Sequence, residues 1–306
     1  MTTQTTAKTS VVKVETQVKK ARLSRALILP ALIFSIVLTQ IPFLVTIYFS
    51  TLEWNLLKPT EIKFTWFDNY VAVFEKGDLL PATFATIGIT SLAVVFSVVL
   101  GLFLAVLLDR KFRGQAVART LLITPFLLMP AAASLIWKHS MFDSNVGILS
   151  WLTEALGGTP IQWTTDLPFL VVVIMLTWQY TPFMMLILLA GLQSQTPEVL
   201  EAAAVDGASA WKTFRWITLP HLRQYVEIAV LLGTIMLLQV FDPIAIITKG
   251  TGGTKTLSYL LYERAFVGLN VGEAAAYGVV TVLLTIVVAT VALRSLFKVF
   301  IEGGQR

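Results

Sequence analysis

The chain contains no cysteine, only two histidines and few charged side chains. Without cysteine it can form neither a disulfide nor a thiolate metal site, and it has no cysteine nucleophile. The isolated residues His139 and His221 leave little from which to build a zinc or haem site. Only 13% of the 306 residues are charged and 56% are apolar, whereas a soluble domain has about 25% and about 45–50%. This composition excludes a disordered chain and argues against a soluble enzyme.

In place of these residues the sequence has long uncharged apolar runs. A hydrocarbon core about 30 Å thick needs about 20 apolar residues of helix, and six runs of about that length are present. Only Asp242 places a charge inside one of them, and none has the polar face of a soluble core helix. We therefore predict an all-α, polytopic membrane protein. Its six transmembrane helices are predicted at residues 26–49, 86–108, 120–137, 168–192, 228–248 and 274–293.

The first run is too long for a cleaved signal peptide. The apolar part of a signal peptide spans about 7–15 residues and ends at a small-residue cleavage site. The run at 26–49 is longer and is followed by Ser50-Thr51-Leu52-Glu53-Trp54, without such a site. We predict a retained span, preceded by an N-terminal tail at residues 1–25 and opening a transmembrane domain over residues 26–306.

The lysines and arginines predict the orientation of the chain. Fifteen of them fall in the two ends and the even-numbered connections, seven fall in the odd-numbered connections, and Arg294 lies at the end of the last span. Because positive charge concentrates on the cytoplasmic side, we predict that both termini are cytoplasmic. This asymmetry also explains the net charge of +5 without a nucleic-acid partner.

Residues 193–223, between the fourth and fifth spans, are patterned as structure rather than as a loose loop. The Thr196 side chain can cap a helix that begins at Pro197, since threonine suits the N-cap and proline the first helical position. Gly207 can end this helix in the left-handed conformation. The sequence therefore predicts a cytoplasmic helix over residues 197–206.

A second short helix is predicted directly after the first. Ser209 can cap a helix over Ala210–Trp216, and Pro220 is expected to restrict Leu219 and stop it. Helices this short are marginal in water, so the pair must pack against its own helix ends or against a cytoplasmic partner.

The residues of this segment resemble the coupling loop, or EAA loop, of binding-protein-dependent ABC importer permeases. The family pattern EAA-x2-DGA-x5-F-x2-I-x-LP is matched at ten positions in a stretch of twenty. By this resemblance, ten residues would form the ATPase-coupling site. They are Glu201, Ala202, Ala203, Asp206, Gly207, Ala208, Phe214, Ile217, Leu219 and Pro220.

Shorter motifs elsewhere look like those of carbohydrate-uptake permeases, in particular the maltose-type first permease of a heterodimeric pair. They lie in the first span and in the first and third outer connections. The motifs are Leu29-Pro30-Ala31-Leu32, Ile41-Pro42-Phe43, Phe67-Asp68-Asn69-Tyr70, Gly252-Gly253-Thr254-Lys255-Thr256-Leu257, Tyr262 and Ala265-Phe266. The resemblance implies a sugar or polyol as the transported solute, rather than an amino acid, a peptide or a metal.

The resemblance also implies partners. The chain would be half of a transmembrane pathway in the plasma membrane of a prokaryote. It would be paired with a homologous second permease, two ABC ATPase subunits and an extracytoplasmic solute-binding protein, and surrounded by membrane lipid. ATP and Mg²⁺ would be bound by the ATPase subunits, and no cofactor by this chain.

The sequence lacks the common motifs of catalytic sites, and we predict that the chain is not an enzyme. The sequence has no G-x-x-x-x-G-K-[ST] phosphate loop, and Gly250–Thr256 is a glycine-rich turn predicted to lie outside the membrane. No G-x-S-x-G or H-E-x-x-H motif and no cluster of acidic residues within a span is present. We predict neither a catalytic nor a metal site.

Four polar residues within the spans are candidates for the solute pathway. Gln179 and Tyr180 lie near the centre of the fourth span, and Gln239 and Asp242 in the fifth. Amides and aromatic faces suit sugar hydroxyls and C–H faces, although the same groups can form interhelical hydrogen bonds. Asp242 is expected to face the bundle interior or a water-filled cavity and to have a hydrogen-bonding partner. An ion-gradient-driven secondary transporter is the alternative function, and Asp242 would be its one ionisable relay.

Overall fold

The computed structural model describes residues 28–159 and 161–303. The predicted tail at 1–25 lies outside the described residues. Five long helices are apolar enough to cross a membrane. They are α1 (Ile28–Ser50), α3 (Leu79–Asp109), α8 (Pro168–Gln193), α11 (Leu219–Leu238) and α13 (Val271–Gly303). Where described, the predicted spans 26–49, 86–108, 168–192 and 274–293 each fall within a single long helix.

Shorter elements connect the long helices. The helices are α2 (Asp68–Glu75), α4 (Gln115–Leu127), α5 (Pro130–Ile136), α6 (Ile148–Ala155), α7 (Trp163–Asp166), α9 (Pro197–Val205), α10 (Ala210–Thr213) and α12 (Leu257–Tyr262). Four π-helical turns cover Trp137–Met141, Phe214–Thr218, Ile244–Thr248 and Glu263–Val267. A minimal antiparallel pair, β1 (Leu52–Glu53) and β2 (Lys63–Phe64), sets Leu52 opposite Phe64.

The third predicted span, 120–137, is not one straight helix. Helix α4 and the segment Pro130–Met141 meet at an angle of 99°. Between them Leu128 and Met129 are extended, with ψ of 138° and 130°. Pro130 has no N–H and disfavours the helical conformation of the residue before it, so the helix breaks at Met129. Only if this bent pair is taken as one span do residues 28–159 and 161–303 contain six spans.

The fifth predicted span, 228–248, is also interrupted. Helix α11 begins earlier, at Leu219, and ends at Leu238. Residues 239–241 are not helical, and the π-helical turn Ile244–Thr248 follows. Proline at 243 favours the start of a new helical segment over continuation of α11, which explains why the apolar run is split. The prediction of one continuous helix here is wrong.

The core of the bundle is the pair α3 and α8, with α11 packed against both. Gly101 of α3 allows the close approach, since a Cβ there would lie 2.8 Å from the Met185 backbone nitrogen of α8. Gly233 does the same for α11, where the Met184 side chain fills the space. Small residues at such contacts let helix backbones approach in a membrane, where packing rather than water drives association. Helix α1 differs, because none of its apolar window is buried.

Ion pairs fix one end of the bundle, which is predicted to be the outer one. Lys76 donates to Glu273 at 2.6 Å, and Arg264 pairs with both Asp78 and Glu273. The Glu273 side chain is only 6% exposed, so its charge depends on these partners. Asn270 also bonds Glu273 and caps α13. The α2–α3 turn is thereby held against the start of α13.

Candidate functional site

The first half of the predicted coupling segment is the helix α9. Gly207, with φ of +74°, ends it, and its N–H donates to the Ala204 carbonyl at 3.1 Å. The Ala208 N–H donates to the Ala203 carbonyl at 2.9 Å, which completes a Schellman motif. The predicted helix and its glycine stop are confirmed, although Val205 is its last helical residue.

The predicted cap at the start of α9 is wrong in one respect. Thr196 is the N-cap residue, but its side chain accepts no hydrogen bond from the helix. The Val199 N–H instead donates to the Thr196 backbone carbonyl at 3.2 Å. Because the backbone carbonyl takes the Val199 N–H, which an N-cap side chain commonly accepts, the Thr196 hydroxyl is left without this expected donor.

The second half of the segment begins as predicted but does not stop. The Ser209 hydroxyl accepts from the Lys212 N–H at 3.4 Å and caps α10. The chain does not leave the helix after α10 and stays helical from Ala210 to Leu238. Leu219 is helical, with φ of −64° and ψ of −41°, so Pro220 does not restrict it as expected.

The π-helical turn explains why the proline is tolerated. In this turn the Leu219 N–H donates to the Phe214 carbonyl, which is i→i+5 pairing. Pro220, which has no N–H, comes directly after this turn, where the hydrogen bonding returns from i→i+5 to i→i+4. The coupling segment therefore runs directly into a membrane helix, and the predicted boundary at Pro220 is wrong.

The ten residues predicted for coupling divide by exposure. Five are exposed, four are half-buried and one, Ala203, is buried. The exposed residues are Glu201, Ala202, Asp206, Gly207 and Pro220, and the half-buried ones are Ala208, Phe214, Ile217 and Leu219. Two neighbouring tryptophans, Trp211 and Trp216, are 69% and 75% exposed. A surface that combines an alanine-rich helix with exposed aromatic rings is typical of a contact with another protein or a membrane.

Gln179 has a structural role in the described chain. Its side chain is buried and its Nε2 donates to the Leu128 carbonyl at 3.3 Å. That carbonyl lies at the break in the third span, where the helix supplies no N–H for it. Gln179 Oε1 is buried without a partner in the described part of the chain. The amide thus binds two helices together, as the alternative interpretation of this residue predicted.

The other three pathway candidates lie at the break of the fifth span or beside it. Tyr180 is nearly buried and packs against Phe126, with ring centroids 6.1 Å apart. The Asp242 carboxylate lies within electrostatic range of Tyr180. Gln239 is exposed at the end of α11. Tyr180 and Asp242 thus interact electrostatically without a hydrogen bond in the described chain, while Gln179 is turned to the third span.

Asp242 differs from its prediction in two ways. It follows the end of α11 instead of lying within a continuous helix, and it is only half-buried. Within the described residues its side chain makes no hydrogen bond, so the expected partner is not found. The break places the carboxylate beside irregular backbone, where membrane proteins keep non-helical chain only against other protein or a water-filled cavity.

An aromatic cluster beside Asp242 was not predicted from the sequence. Phe241 packs against Tyr259 and Tyr262, with centroids 6.2 and 5.0 Å apart, and Phe266 follows at 5.5 Å from Tyr262. The spacing 259, 262 and 266 places three rings on one helical face, which was the available signal. Burial, and then the Glu263 carboxylate, raise the pKa of Tyr259, so its phenol stays neutral.

A large groove lies between α3, α4 and α8, with a volume of about 730 Å³. Its walls are almost entirely apolar and include Phe103, Leu121 and Trp178. Thr177 and Thr181 contribute its few polar atoms. A sugar needs several hydrogen-bonding groups, so this groove suits lipid or a helix better than a solute.

Known proteins resemble this chain over nearly its whole length. Residues 97–300 match the family of binding-protein-dependent transport system inner membrane components. The trehalose/maltose transport system permease MalF of Thermococcus litoralis is 32% identical over 272 residues, covering 88% of this chain and 91% of that protein. The trehalose transport system permease SugA of Mycobacterium tuberculosis is 31% identical over 285 residues, covering 93% and 91%.

Solved structures show the same fold. A bacterial ABC transporter involved in the import of the acidic polysaccharide alginate superposes with a TM-score of 0.75 at 18% identity, over 94% of this chain and 99% of that one. The MetNI methionine ABC transporter gives 0.52 at 18% identity, over 72% and 95%. The helical bundle is therefore that of an ABC importer permease. On the family match and these relatives together, the chain belongs to the binding-protein-dependent inner membrane components, the permease subunits of ABC importers.

Proposed function

We propose that this chain is one permease subunit of an ATP-driven importer of a sugar or polyol, in the plasma membrane of a prokaryote. The observation that carries the proposal is residues 195–220 of the predicted coupling loop 193–223, here called segment 195–220. It comprises α9, the Gly207 turn and the start of the helix that continues into the membrane as α11. Its sequence matches the family's coupling pattern at ten positions. The solute class is supported by the names of the relatives, two of which transport trehalose or trehalose and maltose.

The segment is suited to receive a cytoplasmic ATPase subunit. Helix α9 exposes the slim side chain of Ala202 between Glu201 and Asp206, which allows close entry into a groove. The turn at Gly207 sets the direction of α10 relative to α9. In this proposal ATP and Mg²⁺ are bound by two ATPase subunits, and this chain binds no cofactor and catalyses no reaction. Both termini and segment 195–220 then lie in the cytoplasm.

The pathway is proposed to run beside the broken fifth span. Asp242 lies there within electrostatic range of Tyr180, and the exposed Gln239 lies at the end of α11. A homologous second permease would supply the other half, and a solute-binding protein would deliver the solute from outside. The unburied face of α1 is available to lipid or to that second permease.

Family membership supports this function over an ion-gradient-driven secondary transporter. The relatives are permeases of ABC systems. Asp242, the single charge within the predicted spans, is half-exposed where the fifth span is interrupted, so a proton carrier would have no second ionisable group within those spans.

The proposal is tested in proteoliposomes that contain the complex purified with its own partner subunits. ATP is enclosed in the vesicles, on the side of the ATPase subunits, and no ion gradient is imposed. Uptake of trehalose, maltose and a polyol is measured, each with the binding protein loaded with that solute. We expect ATP-dependent uptake of one of these solutes and stimulation of ATP hydrolysis by the loaded binding protein. Uptake that needs an ion gradient but no ATP would overturn the proposal.

A further inference from the structure

The two ends of segment 195–220 meet in a hydrogen-bonded contact between α8 and α11. The Ser194 hydroxyl donates to the Gly191 carbonyl at 2.8 Å, and the Tyr225 hydroxyl donates to Ser194 Oγ at 2.8 Å. His221 Nε2 lies 3.0 Å from Ser194 Oγ and 3.2 Å from the Gly191 carbonyl. We call these four residues the clasp. Gly191 and Ser194 come just before the segment, and His221 and Tyr225 just after it.

The positions of the hydrogens in the clasp follow from its donors and acceptors. A carbonyl only accepts, so the single hydrogen of Ser194 goes to Gly191. Ser194 Oγ therefore accepts from Tyr225, and His221 must carry a hydrogen on Nε2 to join the network.

The clasp completes the end of α8. The last carbonyls of a helix have no intrahelical donor, and Gly191 is two residues before the last residue of α8. The Gly191 carbonyl accepts from the Ser194 N–H at 3.3 Å and from the Ser194 hydroxyl at 2.8 Å, and His221 of α11 adds a further contact at 3.2 Å. The end of α8 is thus tied to the start of α11.

Packing makes the contact close. A Cβ on Gly191 would lie 2.6 Å from the Tyr225 ring and 2.8 Å from the Leu222 side chain. Leu222 is fully buried in one cluster with Leu188 and Leu192 of α8. The clasp is therefore a hydrogen-bonded edge on an apolar contact, and the two helices cannot part without losing both.

We propose that His221 and Tyr225 are positioning residues that make the coupling segment, α8 and α11 move as one body; this rests on the proposed function of the segment. Because both ends of the segment are fixed to each other, a displacement of α9 cannot be absorbed at its base. It passes to α8, which carries Tyr180, and to α11, which leads to Asp242. The clasp thus connects the ATPase contact to the proposed pathway through packed, hydrogen-bonded elements.

The test uses the assembled complex in proteoliposomes and measures solute taken up per ATP hydrolysed. His221→Ala and Tyr225→Phe each remove a donor, and we expect this ratio to fall at least about five-fold, the lower end of typical coupling between sites. His221→Gln offers an amide N–H where Nε2 stood, and should restore most of the ratio. Tyr225→Phe removes one hydroxyl and keeps the ring that packs on Gly191, so it is the variant that best preserves folding.

A purely structural clasp would give a different result. The amount of assembled complex would fall, while the ratio of each remaining complex stayed that of the wild type, and this outcome would overturn the proposal. Gly207→Val, which alters the segment and leaves the clasp intact, separates the two proposals. If it lowers the ratio and His221→Ala does not, the clasp has no coupling role and the segment keeps its own. If neither variant changes the ratio, the coupling role of the segment falls as well.

Discussion

The side-chain amide of Gln179 donates to the backbone carbonyl of Leu128 across two helices, at 3.3 Å. Leu128 lies where the third span bends by 99°, so its carbonyl has left the helical hydrogen-bond pattern. An unpaired carbonyl in hydrocarbon is costly, and the glutamine removes that cost at this one point. The bend and the buried amide are therefore parts of the same structural feature.

Replacement of Gln179 by Met should destabilise the permease with little change in side-chain volume. Methionine has no donor, so the Leu128 carbonyl stays unpaired, at a cost of about 1–3 kcal/mol. We expect a lower midpoint of thermal unfolding for the complex in detergent. Gln179→Glu, protonated in this setting, should lose less because its hydroxyl can donate. Equal stability of Gln179→Met and the wild type would show that the bond is not stabilising.

Substitution of Gly207 tests the turn between α9 and α10 without any steric contact. A Cβ at Gly207 meets no atom within 4 Å, so only its φ of +74° opposes a side chain. A β-branched valine is strained there, by about 1–3 kcal/mol, while asparagine adopts this conformation more readily. We expect Gly207→Val to abolish uptake and to release ATP hydrolysis from control by the binding protein. Gly207→Asn should behave nearly as the wild type, and equal loss in both variants would contradict a role for the turn.

Variants of Asp242 distinguish a carboxylate that shapes the pathway from one that carries protons. Asn keeps the shape and the hydrogen-bonding groups without the charge, so Asp242→Asn should retain most of the ATP-driven uptake. Asp242→Leu should lose much more, because it removes the polar group beside Tyr180. The measurement is uptake with internal ATP and no ion gradient. Complete loss in Asp242→Asn, together with arrest by an uncoupler while ATP persists, would favour the secondary-transporter mechanism.

The orientation can be measured with single cysteines, since the chain has none of its own. Glu61→Cys and Glu154→Cys lie on exposed connections predicted to be outside, and Lys111→Cys and Lys212→Cys on connections predicted to be inside. With an impermeant thiol reagent on intact cells, only the first pair should react. After lysis all four should react. Labelling of Lys212→Cys in intact cells would reverse the predicted topology.

Local chemistry allowed much of the fold to be predicted from the sequence. Uncharged runs predicted helices at 168–192 and 86–108, and the structure has α8 and α3 there. The end of α9 at Gly207 and the cap at Ser209 were predicted because each depends on residues within a few positions. The orientation and the role of the coupling residues stay predictions.

Proline shows where local rules were not enough. Pro130 breaks the third span, whereas Pro220 is accepted in a continuous helix through a π-helical turn. Proline disfavours a helical conformation of the residue before it, and Met129 before Pro130 is extended as this rule predicts. Leu219 before Pro220 is helical, against the prediction. Whether the chain bends or continues depends on which neighbouring segments can pack against each alternative.

The sequence by itself determined the class of the protein, four of the six predicted spans and the start of each helix in the coupling segment, because hydropathy, caps and turns are properties of adjacent residues. Only the tertiary structure decided the partners of single polar groups. Gln179 contacts Leu128 and His221 contacts Ser194, and each pair joins parts of the chain that are distant in sequence. Such pairs form when long helices pack, so their distances depend on the three-dimensional arrangement of the bundle and on no local pattern.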